Sequence, residues 1–165
     1  GDSVEQPLRQ FRDGAYLCIG VRELMRKDPI EATLRAISDI DSACIRRVME
    51  QEYRRLADAF GDPLDDNDLP IEPVLLGLGE LGRGEVSYLS RLEISVLYRQ
   101  EGETRRRVGG RRSTTSHRHF FNELLTQTVR RTQSSANGRL LEVTAVTLGD
   151  PDGPTPKWIN RLRRR

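Results

Sequence analysis

Several residue types are scarce in this 165-residue chain, and each scarcity argues against a kind of site or a class of protein. The two cysteines, Cys18 and Cys44, have no C-x-x-C spacing, which argues against a zinc site or a redox dithiol. We expect both to be buried, reduced thiols on amphipathic helices. No apolar run approaches the ~18 residues that cross a membrane, and the N-terminus lacks a signal-peptide core, so we predict a cytoplasmic protein.

The chain also lacks a large excess of positive or negative charge. The chain has 27 Lys and Arg against 25 Asp and Glu, and 36% of its residues are hydrophobic. This predicts one modest core under a charged surface and gives no reason to expect a nucleic-acid partner. The arginine-rich stretch at 105–112 and the basic tail at 160–165 are interpreted as solvated loops. His117 and His119 have no ligand-type neighbours at metal spacing and are predicted surface histidines.

The apolar spacing predicts an order of elements. Residues 8–26 read as a helix, and a long helix follows in which Asp28 caps, Pro29 takes the first position and Gly61 marks the end. Residues 73–79, 92–98 and 140–148 are predicted strands, and residues 115–132 a helix. Residues 62–70 and 99–114 are predicted surface loops, the second of them mobile.

This order indicates an α+β fold: a small mixed β-sheet backed by helices, with an N-terminal helical pair. We divide the chain into a helical segment at 1–61 that packs on the core, the core itself at 62–157, and a basic tail at 158–165. Together these segments are predicted to form one domain.

The most informative stretch is residues 77–98, which read GLGELGRGEVSYLSRLEISVLY. It resembles the signature of the adenylyltransferase domains that modify glutamine synthetase, G-x-G-K-L-G-G-x-E-L-N-Y-x-S-D-I-D-L-x-F-x-Y, without a gap. The identical positions are Gly77, Gly79, Leu81, Gly82, Glu85, Tyr88, Ser90 and Tyr98. Similar flanks at 11–13, 37–44, 120–121 and 152–154 extend the resemblance to residues 11–156. A match of this length is specific, and it implies a nucleotidyltransferase-like fold.

The resemblance also implies a site in which three carboxylates hold Mg²⁺ for ATP chemistry. The first two are i, i+2 neighbours on one strand, which places them on one face, and the third lies on the next strand. In this chain those positions carry Arg91, Glu93 and Thr144, and the lysine of the signature is replaced by Glu80. A permanent cation at position 91 repels a divalent metal. We therefore predict a degenerate domain without transferase activity, metal or cofactor.

Other acids could compensate for the lost ligands. Glu142 precedes Thr144 by two residues and so faces the same side of its strand. We favour a salt-bridged cluster of Arg91, Glu93 and Glu142 in which the arginine replaces the metal charge. The alternative is an active enzyme that moves AMP from ATP and Mg²⁺ to a protein such as glutamine synthetase, using Glu93 and Glu142 as displaced ligands.

A third hypothesis is a metal-free nucleotide sensor that binds phosphate at Gly79, Gly82 and Ser90. Against it, the glycines are equally explained by a tight turn. If the domain is inactive, it is a regulatory or interaction module. Its partner would be a protein, either glutamine synthetase or other domains of a longer chain, and neither a nucleic acid nor a membrane.

Overall fold

The computed structural model describes residues 4–105, 114–133 and 139–146. Its helices, α1 to α4 in chain order, span Glu5–Leu24, Ile30–Phe60, Gly79–Arg83 and His117–Gln133. Its strands, β1 to β5, span Asp62–Pro63, Val74–Leu78, Leu92–Leu97, Thr104–Arg105 and Val143–Ala145. The predicted third strand is thus shorter than expected within the described part, and residues 147–148 lie outside it.

The main sheet has three strands in the order β2-β3-β5. Strand β3 pairs antiparallel with β2 and parallel with β5. A parallel pair needs a long crossover, and α4 lies in the connection between β3 and β5. The predicted α+β fold with a mixed sheet backed by helices is confirmed.

One hydrophobic core joins the N-terminal helices to this sheet. Ile37, Ile45 and Val48 of α2 are buried in the same cluster as Ile94 of β3 and Val143 of β5. A second cluster, centred on Phe120 and Phe121 of α4, lies against the C-terminal half of α2. Burial of these side chains, at about 1.5–3 kcal/mol each, is what fixes the sheet against α2 and α4.

The start of α2 differs from the prediction, and its end confirms it. Pro29, not Asp28, is the N-cap, and no side chain caps the helix. The Asp28 carboxylate instead accepts two hydrogen bonds from Arg22, at 2.5 and 2.6 Å, because a charged bidentate pair is stronger than a backbone cap. The helix ends at Gly61, whose φ of 84° is a conformation that glycine adopts readily.

Two predictions about burial are wrong. Cys44 is buried, but Cys18 is exposed, because α1 packs through its other face. That inner face carries Leu8, Tyr16 and Ile19, which pack against the core. Phe11 and several other apolar residues of α1, among them Leu17, Val21 and Leu24, face solvent, as does Met25 at the C-cap. Helical spacing identified an apolar stripe, but not which stripe meets the core.

His117, predicted at the surface, is also buried. Its Nδ1 lies 3.0 Å from the carbonyl oxygen of Gln100, and its ring lies so close to Gly102 that a Cβ there would be 2.9 Å from Cε1. The reason is that the loop after β3 folds over the start of α4. His119 is exposed, as predicted.

The described parts of the two predicted loops contain a strand pair that was not expected. Residues 62–63 and 104–105 form the antiparallel pair β1–β4, which connects the loops to each other. Residues 106–113 and the tail at 160–165 lie outside the described residues. Within the described residues, no helix is long and apolar enough to span a bilayer.

Candidate active site

The three positions that correspond to the metal ligands lie at one end of the sheet. Glu93 on β3 is the register partner of Thr144 on β5 and, on its other side, of Leu78 at the end of β2. Leu92 and Ile94 are buried, whereas Arg91, Glu93 and Thr144 are exposed. Strand alternation therefore places the three side chains on the solvent side of the sheet, as their spacing requires.

Arg91 pairs with one of the two glutamates, Glu142. Its Nε lies 3.1 Å from Oε1 of Glu142, and Arg139 Nη1 lies 3.0 Å from Oε2 of the same carboxylate. The main chain holds this arrangement, because the Leu92 N–H donates to the Glu142 carbonyl at 2.8 Å. Glu142 thus bridges two arginines in the segments that precede β3 and β5.

Glu93 lies toward the glycine turn instead. Its Oε2 is 3.2 Å from the point that a Cβ on Gly79 would occupy. The structure therefore brings Arg91 and Glu142 together and places the Glu93 carboxylate beside Gly79. No described ion pair joins Glu93 to Arg91.

The glycines of the turn have packing reasons to be glycine. Gly79 has a φ of +53° where α3 begins. A Cβ on Gly82 would lie 2.6 Å from the carbonyl oxygen of Gly77, and one on Gly77 would lie 2.8 Å from Cγ of Leu81. Close contact between β2 and α3, a short helix that was predicted only as a turn, accounts for the glycine at positions 77 and 82.

Ser90, a candidate for phosphate contact, is engaged by a carboxylate. Its hydroxyl donates to Oε2 of Glu80 and accepts a hydrogen bond of 2.9 Å from the Ser87 N–H. Glu80 occupies the position of the lysine in the resembled signature. An acid in place of a base at this position makes the environment of Ser90 more negative and so less suited to phosphate.

A divalent metal does not fit this set of donors. Mg²⁺ takes oxygen ligands, chiefly carboxylates and phosphates. Here the three positions offer one carboxylate at Glu93, one hydroxyl at Thr144 and the guanidinium of Arg91, which has no lone pair to give. Among residues 4–105, 114–133 and 139–146, no group of three or more His, Cys, Asp or Glu could hold a metal ion.

A second group of polar residues near these positions was not assigned from the sequence. Asp41 of α2 is buried and accepts hydrogen bonds of 2.8 Å from the Tyr16 hydroxyl. Arg12 of α1 stacks over the Tyr16 ring and donates 2.5 Å to the Leu140 carbonyl. Burial raises the pKa of Asp41 and, together with the Asp41 charge, that of Tyr16. The family-like flanks at 11–13 and 37–44 were the available signal.

Comparison with known proteins shows which family the chain resembles in sequence. The sequence profile of the glutamate-ammonia ligase adenylyltransferase family matches residues 2–145. A bifunctional glutamine synthetase adenylyltransferase/adenylyl-removing enzyme of Pseudomonas aeruginosa is 32% identical over 124 residues, which are 74% of this chain and 12% of that protein.

Bifunctional enzymes of the same name from other bacteria are also similar to the chain. The protein of Shewanella frigidimarina is 27% identical over 118 residues, or 72% of this chain and 12% of its own length. The protein of Burkholderia mallei is 26% identical over 123 residues, or 74% of this chain and 13% of its own length. The chain therefore spans about an eighth of these relatives.

Proposed function

The chain belongs to the glutamate-ammonia ligase adenylyltransferase family, and from that premise we propose that it is a degenerate nucleotidyltransferase domain that does not transfer nucleotides. It keeps the sheet and the glycine turn and serves as a regulatory or interaction module. The proposal concerns this domain, which corresponds to 12% of the Pseudomonas relative.

The observation that carries the proposal is the ion pair between Arg91 and Glu142. A guanidinium stands at the first ligand position, and the acid that could have replaced a lost ligand is already shared between Arg91 and Arg139. Recruiting Glu142 to a metal would require breaking both ion pairs and moving two cations away. Glu93 alone supplies too few oxygen donors for Mg²⁺.

The contact between Ser90 and Glu80 adds support, because it occupies the hydroxyl that would face a phosphate. The Glu93 carboxylate lies on the same glycine turn. Two carboxylates near this turn repel a triphosphate rather than attract it. The proposal therefore includes neither ATP nor Mg²⁺ as a cofactor.

A domain of this kind acts by contact with another protein. The named activities of the relatives concern glutamine synthetase, and the relatives are much longer than this chain. We propose that the partner is glutamine synthetase or another domain of a longer chain. Mixed surface charge and exposed apolar residues on α1 suit a protein partner.

The competing function is an active adenylyltransferase with displaced ligands. What favours it is that Glu93 and Thr144 remain register partners, so that the strands keep the spacing a metal site needs. This alternative predicts transfer of AMP from labelled ATP to an added acceptor protein, and loss of that transfer in Glu93→Gln.

Calorimetry with ATP in the presence of Mg²⁺ or Mn²⁺ separates the two. We expect no metal-dependent heat from the natural chain. The double variant Arg91→Asp with Thr144→Asp restores acids at all three positions and is expected to gain metal-dependent ATP binding. A matched control, Arg139→Asp with Thr144→Asp, makes the same charge change but leaves Arg91 in place. It is expected to show no metal-dependent ATP binding.

Metal-dependent ATP binding by the natural chain that disappears in Glu93→Gln would overturn the proposal. Equal gains in the restored variant and the control would show that net charge, rather than the occupant of position 91, prevents binding. Circular dichroism of each variant establishes that the fold is retained before the titrations are compared.

A further inference from the structure

Helix α1 differs from the other long helices in how little of it is buried. Of its 20 residues, all within the described part of the chain, Glu5 alone is buried. By contrast, α2 buries Ile37 and Ile45, and α4 buries Phe120 and Phe121. The apolar side chains on the inner face of α1 pack against the core but stay partly exposed. Hydrophobic burial, the main force that holds α2 and α4 in place, therefore contributes less at α1.

The outer face of α1 carries apolar residues that the docked position of the helix leaves in water. Phe11, Leu17, Val21 and Leu24 are between 46% and 86% exposed. A surface helix usually turns its apolar stripe toward the core, whereas here much of the apolar surface points away from it. These side chains gain no burial from the contact between α1 and α2, so they do not oppose release of the helix.

Polar contacts hold the inner face of α1 instead. Glu5 Oε1 lies 3.1 Å from Arg131 Nη1 of α4. Near the middle of the helix, the Tyr16 hydroxyl donates to the Asp41 carboxylate of α2 at 2.8 Å, and Arg12 Nε lies 3.5 Å from the same carboxylate. Water offers partners to all these groups when the helix is released, so each contact contributes little net stability. Release also returns the buried carboxylates to water, which favours their charged form.

The link between α1 and α2 has the features of a hinge. Helix α1 ends at Leu24, α2 begins at Ile30, and Arg26 between them has a φ of 52°. This left-handed conformation is uncommon for a residue with a side chain, and residues at the ends of elements absorb the φ and ψ changes of a moving helix. The ion pair between Arg22 and Asp28 spans the link but lies in solvent, where it contributes little to stability. The link therefore permits α1 to leave while α2 stays in place.

The thiol that α1 covers is that of Cys44. Cys44 is fully buried and follows Asp41 by three residues on α2, so that the two side chains share a face of the helix. Burial raises the pKa of the Cys44 thiol to about 11, and the charges of Asp41 and Arg12 also act on it. Because the thiolate is the reactive form, this thiol is inert at neutral pH while α1 is docked. Release of α1 exposes the thiol and makes it reactive.

We propose that α1 is a strap that opens as a unit while the sheet, α2 and α4 stay folded, and that its opening uncovers Cys44. Segments with few buried apolar contacts open at a lower free energy than the core of a domain, and they do so as contiguous units. This motion requires no partner, metal or nucleotide, so it is independent of the proposed function.

Thiol labelling with 5,5′-dithiobis(2-nitrobenzoate) tests the proposal in the variant Cys18→Ser, which leaves Cys44 as the remaining one of the two cysteines. Cys18 is exposed, so its replacement does not threaten the fold. We expect Cys44 to react slowly in native buffer, at a rate proportional to the reagent concentration. That proportionality follows when the helix closes faster than the reagent attacks, so that the rate reports the population of the open form.

Further variants in this background separate the opening of α1 from unfolding of the whole domain. Tyr16→Phe keeps the ring but removes the hydroxyl bond to Asp41, and we expect Cys44 to react about tenfold faster. Tyr98→Phe also removes a hydroxyl bond to a carboxylate, but outside α1, and is the matched control that should not change the rate. Phe121→Leu weakens the second hydrophobic cluster, which contains no residue of α1, and should lower the stability to urea without changing the rate at Cys44.

Native-state hydrogen exchange is a second measurement that does not depend on the thiol. We expect the amides at 16–20 to share one opening constant, at least about tenfold larger than that of the amides around Val48. Phe121→Leu should lower the protection around Val48 and leave that of 16–20 unchanged. Leu124→Val acts on the same cluster and replaces Phe121→Leu should that variant not fold.

Equal acceleration of Cys44 labelling in Tyr16→Phe and Phe121→Leu would show that α1 leaves only when the whole domain unfolds, and would overturn the proposal. An unchanged rate in Tyr16→Phe, or protection that falls gradually toward Glu5, would overturn it as well, since the second pattern indicates fraying of the helix end. Neither measurement uses metal or nucleotide, so their failure leaves the proposed loss of transferase activity intact.

Discussion

Two arginine–glutamate clusters in this domain lie in opposite environments. In the first, Arg131 of α4 pairs with Glu5 of α1 at 3.1 Å and with Glu52 of α2 at 3.2 Å. In the second, Glu142 pairs with Arg91 and Arg139. The carboxylates of the first cluster are 8% and 4% exposed, whereas Glu142 is 40% exposed and Arg91 78%.

This difference in exposure indicates which cluster contributes to the stability of the fold and which sets only the charge of the surface. A buried carboxylate that loses its partner remains as an uncompensated charge, so the helix cluster resists change. An exposed pair is screened by water and contributes little to stability. The cluster at the strand ends is therefore free to set the charge of the candidate site, and its arginines can be altered without unfolding the domain.

The largest effect is expected from Arg131→Met. The change leaves Glu52 paired with Arg55 and removes the link between α1 and α4. We expect the free energy of unfolding in urea to fall by about 3 kcal/mol. Arg130→Met, the exposed neighbour on the same helix, is the control and should stay within about 0.5 kcal/mol. Equal losses in both variants would mean that burial does not distinguish the clusters.

The next effect concerns the glycine turn, which lies beside the exposed cluster but is tightly packed. Gly82→Ala places a Cβ 2.6 Å from the Gly77 carbonyl oxygen, which is backbone and cannot easily move. We expect a loss of about 1–3 kcal/mol in thermal or urea unfolding. Gly14→Ala in α1 has open space and should be stabilising by about 0.5–1 kcal/mol. A neutral Gly82→Ala would remove the packing explanation and favour a ligand role for this glycine.

Much of the fold followed from local signals. The strand at Leu92–Leu97 was predicted from its own residues, and the end of α2 from Gly61. Strand alternation also predicted that positions 91 and 93 share a face of the sheet. These signals depend on neighbours in sequence, which is why they could be read without the structure.

The errors concern which partner each side chain meets in the fold. Asp28 was expected to cap a helix but meets Arg22, and His117 was expected at the surface but lies under Gly102. Periodicity showed that α1 has apolar residues, yet only packing against α2 decides that Cys18 faces solvent. The group of Arg12, Tyr16 and Asp41 was missed for the same reason, because the packing of α1 on α2 brings it together.

A third carboxyl, that of Asp41, gives the pH-dependent prediction. Asp41 is buried, and this burial raises its pKa above the ordinary value of about 3.9, although Tyr16 and Arg12 act in the opposite direction. Between the two pKa values the native state binds more protons than the unfolded state, so the stability contribution of Asp41 decreases as pH rises through that window. Asp41→Asn removes this dependence.

Urea unfolding of the natural chain and of Asp41→Asn across acid to neutral pH measures that contribution. We expect the natural chain to be relatively more stable at the acid end, with the difference declining as pH rises and then becoming constant. A difference that instead grows with pH would show that the ion pair with Arg12 outweighs burial.

The smallest effect is expected at the exposed cluster itself. In a double-mutant cycle with Arg91→Ala and Glu142→Ala, we expect a coupling energy of about 0.5 kcal/mol or less, because both side chains are exposed and Arg139 competes for the same carboxylate. About 1 M salt should abolish it. A coupling above about 1 kcal/mol that survives salt would mean that water is excluded from the pair. Arg91 would then be a fixed part of the fold, and an acid at position 91 would need a second change before it could restore a metal site.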